Sequence, residues 1–337
     1  SALLEEIGTD AFVAGLADLA AHGVRTFRTA LPDLLPKPRR ARIELDDGTP
    51  IAVRLSRTVD DAGPRLHVDF TGTADVHPGN LNAPRAIVQA ATLYVLRVLL
   101  GPGVPLHEGL FEAIDLVVPP GLLDPPCPDD PAEAPAVAAG NTETSQRIVE
   151  ALMLAFGRIA AGQGTMNNVL LGNDRFGTYE TLGGGAGATA DAWGASAVHT
   201  HMTNTRLADP EFVERRHPLR IVECSIRRGS GGAGLLRGGD GLRRIYEALE
   251  PITACVVSEH RRLGPPGLEG GDAGEVGRQR LRRADGTVVE LEGRCEVRLE
   301  PGERLEIETP GGGGWGRAAA VEPGLDMPAH DGSVDGE

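Results

Sequence analysis

TSQRIVEALMLAFGRIAAGQG, residues 144–164, contains the change of pattern on which the fold turns. Its first part reads as a helix from about Thr144 to Ile159. Beyond Gly162 the chain breaks into short apolar runs divided by glycine clusters at 183–187, 229–234, 238–241 and 311–314. Short strands joined by tight turns are expected there. Val288 to Leu291 and the stretch from Val297 through Leu305 and Ile307, punctuated by Asp285-Gly286 and Pro301-Gly302, extend that β-rich reading.

Upstream of the helix the periods are mixed. Phe12, Leu16, Leu19, Ala20, Val24 and Phe27 recur at helical spacing after Thr9 and Asp10, either of which is a candidate cap, and the pattern stops at Pro32. Ile43 and Leu45, then Ile51, Val53 and Leu55, alternate on either side of Asp47-Gly48 and predict a hairpin, with a further strand at Leu66, Val68 and Phe70. Asn82 before Pro84 reads as the cap of a buried helix carrying Ile87, Ala91, Tyr94, Val95 and Val98 and ending at Gly101-Pro102-Gly103. Pro119 to Pro135 reads as a long surface loop. The expectation is an α+β fold: a helix-rich region over residues 1–162, a strand-rich, glycine-punctuated region over 163–316, and a disordered tail over 317–337.

With 337 residues, 41% hydrophobic and 24% charged, the chain has the composition of a globular protein able to bury a large core. Its formal charge of -15 opposes attraction to nucleic acid or an anionic membrane. No stretch approaches the roughly 20 apolar residues of a membrane span, and a cytoplasmic location is expected. Cys127, Cys224, Cys255 and Cys295 form no CxxC pair, so free thiols are expected. The chain opens at Ser1 and its first methionine is Met153, so more sequence is expected upstream.

GSGGAG at 229–234 fits G-x-G-x-x-G and follows a plausible strand, Ile221 to Ile226. A dinucleotide site needs a helix on that loop, yet Gly238-Gly239-Asp240-Gly241 breaks one at once. No P-loop occurs, and Lys37 is the sole lysine. For 311–314, turn geometry or close backbone approach competes with a substrate-cradling loop.

Polar residues gather in three places. HTHMTNTR, residues 199–206, would place His199, His201 and Thr203 on one face if extended, where two imidazoles could meet one metal or one substrate; the metal and any third ligand stay unknown. Asn204 and Arg206 would point the other way. NTETSQR, 141–147, opens a helix, where it is either an N-cap or an anion cradle. QGTMNN, 163–168, offers amides able to orient a lactam, or turn-forming asparagines. Arg227, Arg228, Arg237, Arg243 and Arg244 surround the glycine turns and could hold a carboxylate or phosphate, or balance neighbouring carboxylates.

Together with DFTGT (69–73), AGNTETSQR (139–147), YET (179–181), RGSGGAG (228–234), RGGDG (237–241) and ETPGGGGWG (308–316), these segments resemble the hydantoinase B/oxoprolinase family, and most of all the C-terminal region of ATP-dependent 5-oxoprolinases. The resemblance runs from about Leu3 to Gly316, and SEHRR at 258–262 is similar to the oxoprolinase form. An N-terminal stretch with metal-ligand-like histidine and aspartate residues, usual in the family, is not found in this sequence.

The resemblance implies an ATP-dependent cyclic amide hydrolase cleaving 5-oxo-L-proline to L-glutamate, a reaction of glutathione metabolism. ATP and Mg would be bound mainly by a hydantoinase A-type subunit or region in a hetero-oligomer, with a further divalent metal as an open option. Hydantoin or N-methylhydantoin hydrolysis, a subunit of an ATP-dependent ketone carboxylase and a non-catalytic fragment are the alternatives. The expected roles are proton transfer by His201 and His199, with Glu143 in the catalytic group, substrate orientation by Asn141, Asn167, Asn168 and Asn204, and capture of carboxylate or phosphoryl oxygens by Arg206 and Arg228.

Overall fold

The alternation around Asp47-Gly48 folds as a hairpin: β1 (Arg39–Glu44) pairs antiparallel with β2 (Pro50–Asp60), and Ile43 lies opposite Ile51. The computed structural model describes residues 2–105 and 107–317; the rest of the expected tail, 318–337, lies outside the described residues. β2 continues antiparallel to β3 (Gly63–Asp69), and β3 pairs parallel with β4 (Ile114–Val117), completing a four-stranded sheet. Against it pack α2 (Thr9–Leu34), α3 (Arg85–Leu100) and α4 (Thr144–Phe156), with Phe27, Leu55, Val68, Val95 and Leu152 in a common core. A short α1 (Ala2–Ile7) precedes α2.

Three details of this half differ from the sequence reading. Gly8, with neither Thr9 nor Asp10, caps α2, and the helix runs through Pro32 because Leu31 and Leu35 anchor its last turn in the core. Leu16 and Leu19, expected to be covered, are 52% and 49% exposed; the stripe enters the core only from Gly23 and Val24 onward. Asn82 does not cap α3, whose N-cap is Pro84. Its buried amide instead ties a loop together, accepting from the His77 amide and donating to the carbonyls of His77, Gly79 and Ala136.

Past residue 162 two sheets enclose a second core. One has the order β11-β10-β13-β8-β7, comprising β7 (Leu219–Arg227), β8 (Gly241–Ala248), β10 (Arg278–Arg282), β11 (Val288–Leu291) and β13 (Arg304–Glu308). The other has the order β12-β9-β5-β6, comprising β5 (Asn168–Gly172), β6 (Gly177–Thr181), β9 (Ile252–Val257) and β12 (Arg294–Leu299). Val169, Leu171 and Val256 of the second sheet meet Leu242, Tyr246 and Leu305 of the first, and α5 (Pro210–Arg216) adds Val213. Among the described residues no two of these strands pair across residue 162, where only an isolated bridge, Ile159 to Thr189, joins the halves, in keeping with the α+β expectation of a helix-rich first part and a strand-rich second.

Apart from the turn at Arg228-Gly229, where Gly229 takes φ +87°, the glycine clusters are not the tight turns expected. Along the 311–314 run, the amide of Gly311 donates to Glu275, Gly312 to Gly239, Gly313 to Ala161 and Gly314 to Asp272. The first and fourth return to the same neighbouring segment, a three-residue repeat matching polyproline-II geometry, whose backbone groups all point outward. Segments at 183–187, 231–239, 264–274 and 311–314 thus form a bundle of extended chains bonded to several neighbours at once. Close approach selects glycine here: a Cβ on Gly312 would lie 2.0 Å from the Ala186 carbonyl oxygen, and one on Gly239 1.9 Å from that of Ala195. None of Gly311, Gly312, Gly313 and Gly314 has positive φ, so turn geometry is not the cause.

Candidate functional site

α4 is buried almost throughout, which is unusual for a helix carrying so many polar groups. Ile148, Val149, Leu152 and Phe156 supply the first core. Glu143, Gln146, Arg147 and Glu150, at spacings of three, four and seven, form a second row on another face and are all 0–3% exposed. A buried polar row must find partners within the protein. It finds them in residues 163–168, 199–203 and 258–263.

At the C-terminal end of the row, Glu150 Oε2 lies 3.0 Å from His260 Nε2, and the Arg147 Nη1 group is in close contact with both. Arg147 also donates from Nη2 to the Glu44 carbonyl at 2.7 Å, fixing the guanidinium. His260 Nδ1 meets the Leu263 carbonyl oxygen at 2.6 Å. Burial opposes ionisation of Glu150, but the charges of Arg147 and His260, together with the His260 hydrogen bond, outweigh it and hold the carboxyl below its ordinary range. Gly164 closes this corner, since a Cβ there would come within 2.6 Å of the His260 ring and 2.7 Å of Glu150 Oε2.

At the N-terminal end, Glu143 is fully buried and neither carboxylate oxygen forms an ordinary hydrogen bond. Desolvation, reinforced by the charge of Glu259, pushes its pKa well up, against smaller opposing influences from Thr165 and Met166. Glu259 accepts from the Asp46 amide at 2.7 Å; burial first, then the Asp46 charge, raises its pKa to about 7. Arg261 links the group, donating to Asn167 Oδ1 at 2.9 Å, to Gln279 at 2.7 Å and to the Glu259 carbonyl at 2.7 Å. Desolvation lowers the Arg261 pKa to about 10. Asn167 donates in turn to Gln163 Oε1 and to the Leu182 carbonyl, while Asn168 accepts from Tyr179 at 2.6 Å.

The 199–206 segment is not extended, so His199, His201 and Thr203 do not share a face as expected. The Thr203 amide donates back to the Thr200 carbonyl, closing a turn in which His201 takes φ +56°. Gln146 fastens that turn to α4 through the Thr200 carbonyl and Thr203 Oγ1. The two imidazoles therefore separate. His199 Nε2 lies 3.0 Å from the Thr181 carbonyl, whereas His201 Nδ1 meets the Tyr94 hydroxyl at 3.3 Å. His201 keeps partial exposure as a residue, yet protein surrounds its ring; this desolvation depresses its pKa to about 4 despite the attraction of Glu150.

Of the residues singled out in the sequence, Glu143, Asn167, Asn168, His199 and His201 border this polar region. Asn141, Asn204, Arg206 and Arg228 are exposed on the surface. Sequence reasoning gave no role to Arg147, Glu150, Glu259, His260, Arg261 or Asp46. Arg147 and Glu150 did leave a trace, as charges breaking an apolar helix on the same face as Glu143.

A pocket of about 380 Å³ opens beside the Arg147, Glu150 and His260 corner, walled by Ile43, Glu44 and Leu263. Three of the five non-glycine residues with positive φ among the described residues, Asn167, His201 and His260, lie in the region; such strained backbone persists where surrounding structure imposes it. Among the described residues no group of three histidine, cysteine, aspartate or glutamate side chains is placed to hold a metal ion. This donor set does not fit a divalent ion, so no step below runs through one.

Known proteins match this fold and these segments. The family model described as hydantoinase B/oxoprolinase matches residues 1–318. "5-oxoprolinase 1" of Arabidopsis thaliana is 42% identical over 272 residues, which cover 81% of this chain and 21% of that protein, in its C-terminal region. The chain thus spans about a fifth of that relative's length. Among solved structures, the ATP-dependent caprolactamase from Pseudomonas jessenii superposes with a TM-score of 0.79 at 24% identity, covering 94% of this chain and 57% of that one. Acetone carboxylase in its nucleotide-free form superposes with a TM-score of 0.77 at 18% identity, covering 93% and 50%. At those identities the two structures speak to the fold alone. No helix among the described residues is long and apolar enough to cross a membrane. By the family match and the 5-oxoprolinase identity, the chain belongs to the hydantoinase B/oxoprolinase family.

Proposed function

We propose that this chain is the amide-hydrolysing part of an ATP-dependent cyclic amidase and that its substrate is 5-oxo-L-proline, opened to L-glutamate. The observation that carries the reading is the buried polar row of α4 facing the QGTMNN loop, in a chain 42% identical to a protein named 5-oxoprolinase. In this reading Asn168 orients the lactam, and Asn167, whose amide is already bonded to Gln163, Leu182 and Arg261, holds the loop in place beside it. His201, with its pKa held near 4, is neutral at physiological pH and able to accept a proton, and Glu143, whose pKa burial pushes well up, is suited to donate one.

His199 takes a supporting place beside Thr181. Asn141, Asn204, Arg206 and Arg228, being exposed, act in this reading only once a partner covers them. ATP and Mg belong to a hydantoinase A-type partner that activates the amide oxygen, and the active species is a hetero-oligomer in the cytoplasm. The test is 5-oxoproline-dependent ATP hydrolysis and glutamate release by this chain combined with such a partner. Release only with both chains supports the reading; none from a folded complex overturns it. Hydantoin and acetone in parallel, the latter with bicarbonate, separate the hydantoinase and ketone carboxylase readings, and partner turnover indifferent to this chain marks a non-catalytic fragment.

A further inference from the structure

Strand pairing sets Arg40 of β1 directly opposite Arg54 of β2, and sets Arg42 opposite Ala52 on the same face. Ile43, Ile51, Val53 and Leu55 turn the other face of this pair into the first core, so the three guanidiniums stand on the outer side, where all three residues are exposed. Like charges placed opposite one another across a ladder repel. In a chain of formal charge -15 carboxylates are plentiful, yet compensation at this spot is thin. Arg42 reaches Glu44 only at 3.6 Å and Arg54 reaches Asp69 only at 3.9 Å. Arg40 has no carboxylate partner among the described residues.

The DFTGT segment, 69–73, closes the remaining side. Thr73 Oγ1 accepts from the Ala52 amide and donates to the Ala52 carbonyl, each at 3.1 Å, and Asp69 accepts from the Thr71 amide at 2.8 Å. Gly72, at φ +97°, brings the turn down onto the Ala52 side chain. Between the turn and the two strands lies a concavity of about 420 Å³, walled by Arg40, Arg42, Arg54 and Thr71 over a floor at Ala52. That size suits a small ligand.

We propose that this concavity is a binding site for a small phosphate-bearing anion, held by the guanidiniums of Arg40, Arg42 and Arg54 and by the Thr71 hydroxyl. Guanidinium forks match phosphate oxygens in pairs. A phosphate group, with a charge of about -1.5 to -2, also offsets closely set cations better than a single carboxylate does. The negative charge of the whole chain opposes nucleic acid and anionic membranes, which leaves a small molecule as the source. The inference goes beyond the amidase reading and does not depend on it. Arg42 also lines the 380 Å³ pocket beside Arg147, so the two concavities share a wall.

The test is a titration of the whole chain with inorganic phosphate and with pyrophosphate, at constant ionic strength set with chloride, followed through the arginine Nε–H resonances. The Arg40 and Arg54 signals are assigned by their loss in Arg40→Gln and Arg54→Gln. Pyrophosphate is expected to shift both signals saturably, with half-saturation below about 1 mM. Either variant is expected to weaken binding at least about tenfold, while Arg298→Gln, which removes an exposed arginine of β12, leaves it within about twofold. Pyrophosphate is likewise expected to raise the melting temperature of wild type and of Arg298→Gln, but not that of Arg40→Gln. Inorganic phosphate binding as tightly as pyrophosphate identifies a single phosphate group as what the site reads, and tighter pyrophosphate identifies a diphosphate. Shifts that grow without saturating, or binding weakened as much by Arg298→Gln as by Arg40→Gln, overturn the proposal.

Discussion

The Glu150 carboxylate lies 3.0 Å from the His260 imidazole although 110 residues separate them in the chain. One residue belongs to the helix of the first core and the other follows β9 of the second, so the contact joins the two halves of the fold in a buried, charged corner. A buried ion pair adds little over an apolar replacement, but removing one partner strands the other's charge. Arg147→Met is therefore expected to cost about 3–5 kcal/mol in urea unfolding at pH 7, and adding Glu150→Leu to recover part of that loss. An Arg147→Met midpoint equal to wild type would mean that Glu150 is not ionised in the folded protein.

Glu259 and His201 give the stability of the protein opposite pH slopes. Glu259 rises from 4.5 to about 7 on folding, so its stabilising contribution is present below the unfolded pKa and is lost as pH climbs toward 7. His201 falls from 6.5 to about 4, so its contribution is present above 6.5 and is lost as pH drops toward 4. Each effect is on the order of 3 kcal/mol and they offset between the two windows. Relative to the wild-type profile, Glu259→Gln is expected to gain stability from pH 4.5 to 6.5 and His201→Gln to lose it. Parallel melting-temperature profiles for all three proteins would refute the assignment.

Glycines of the bundle and glycines of turns are expected to respond differently to one methyl group. Gly312→Ala places a carbon 2.0 Å from the Ala186 carbonyl oxygen, where only displacement of a hydrogen-bonded backbone makes room. Gly302 sits at φ +84° with nothing within 4 Å of its added carbon, so Gly302→Ala bears only the left-handed backbone cost of about 1–2 kcal/mol. Gly312→Ala is expected to exceed about 3 kcal/mol or to prevent accumulation of folded protein. Equal unfolding midpoints would contradict the close-packed bundle.

The parts of the fold legible in the sequence were those set by local period and turn chemistry: the hairpin around Asp47-Gly48, the helix opening at Thr144 and the strands near the C-terminal end. Periodicity showed that Phe12, Leu16 and Leu19 share a face of α2, but not that the face would be left uncovered. Glycine clusters carry the same letters whether they serve a turn or a close approach, and here the second applied. At the site, residue type drew attention to Glu143, Asn167 and His201. The Arg147, Glu150 and His260 corner escaped it because its members meet only after two cores have formed.

Asp46 offers a way to test how the halves communicate. Its carboxylate accepts from the amides of Arg261 and Arg262 at 2.7 and 3.2 Å, its own amide donates to Glu259, and its charge is one of the forces raising the Glu259 pKa. Asp46→Asn retains the backbone donor to Glu259 and one side-chain acceptor oxygen but removes the negative charge. The Glu259 carboxyl, followed by isotope-edited infrared spectroscopy or NMR, is then expected to titrate below its wild-type value of about 7, with a stability loss of about 1–3 kcal/mol from the weakened hold on Arg261 and Arg262. A Glu259 titration left in place, in a variant that is nonetheless destabilised, would assign its raised pKa to burial alone and reduce Asp46 to a mechanical tie between the hairpin turn and the end of β9.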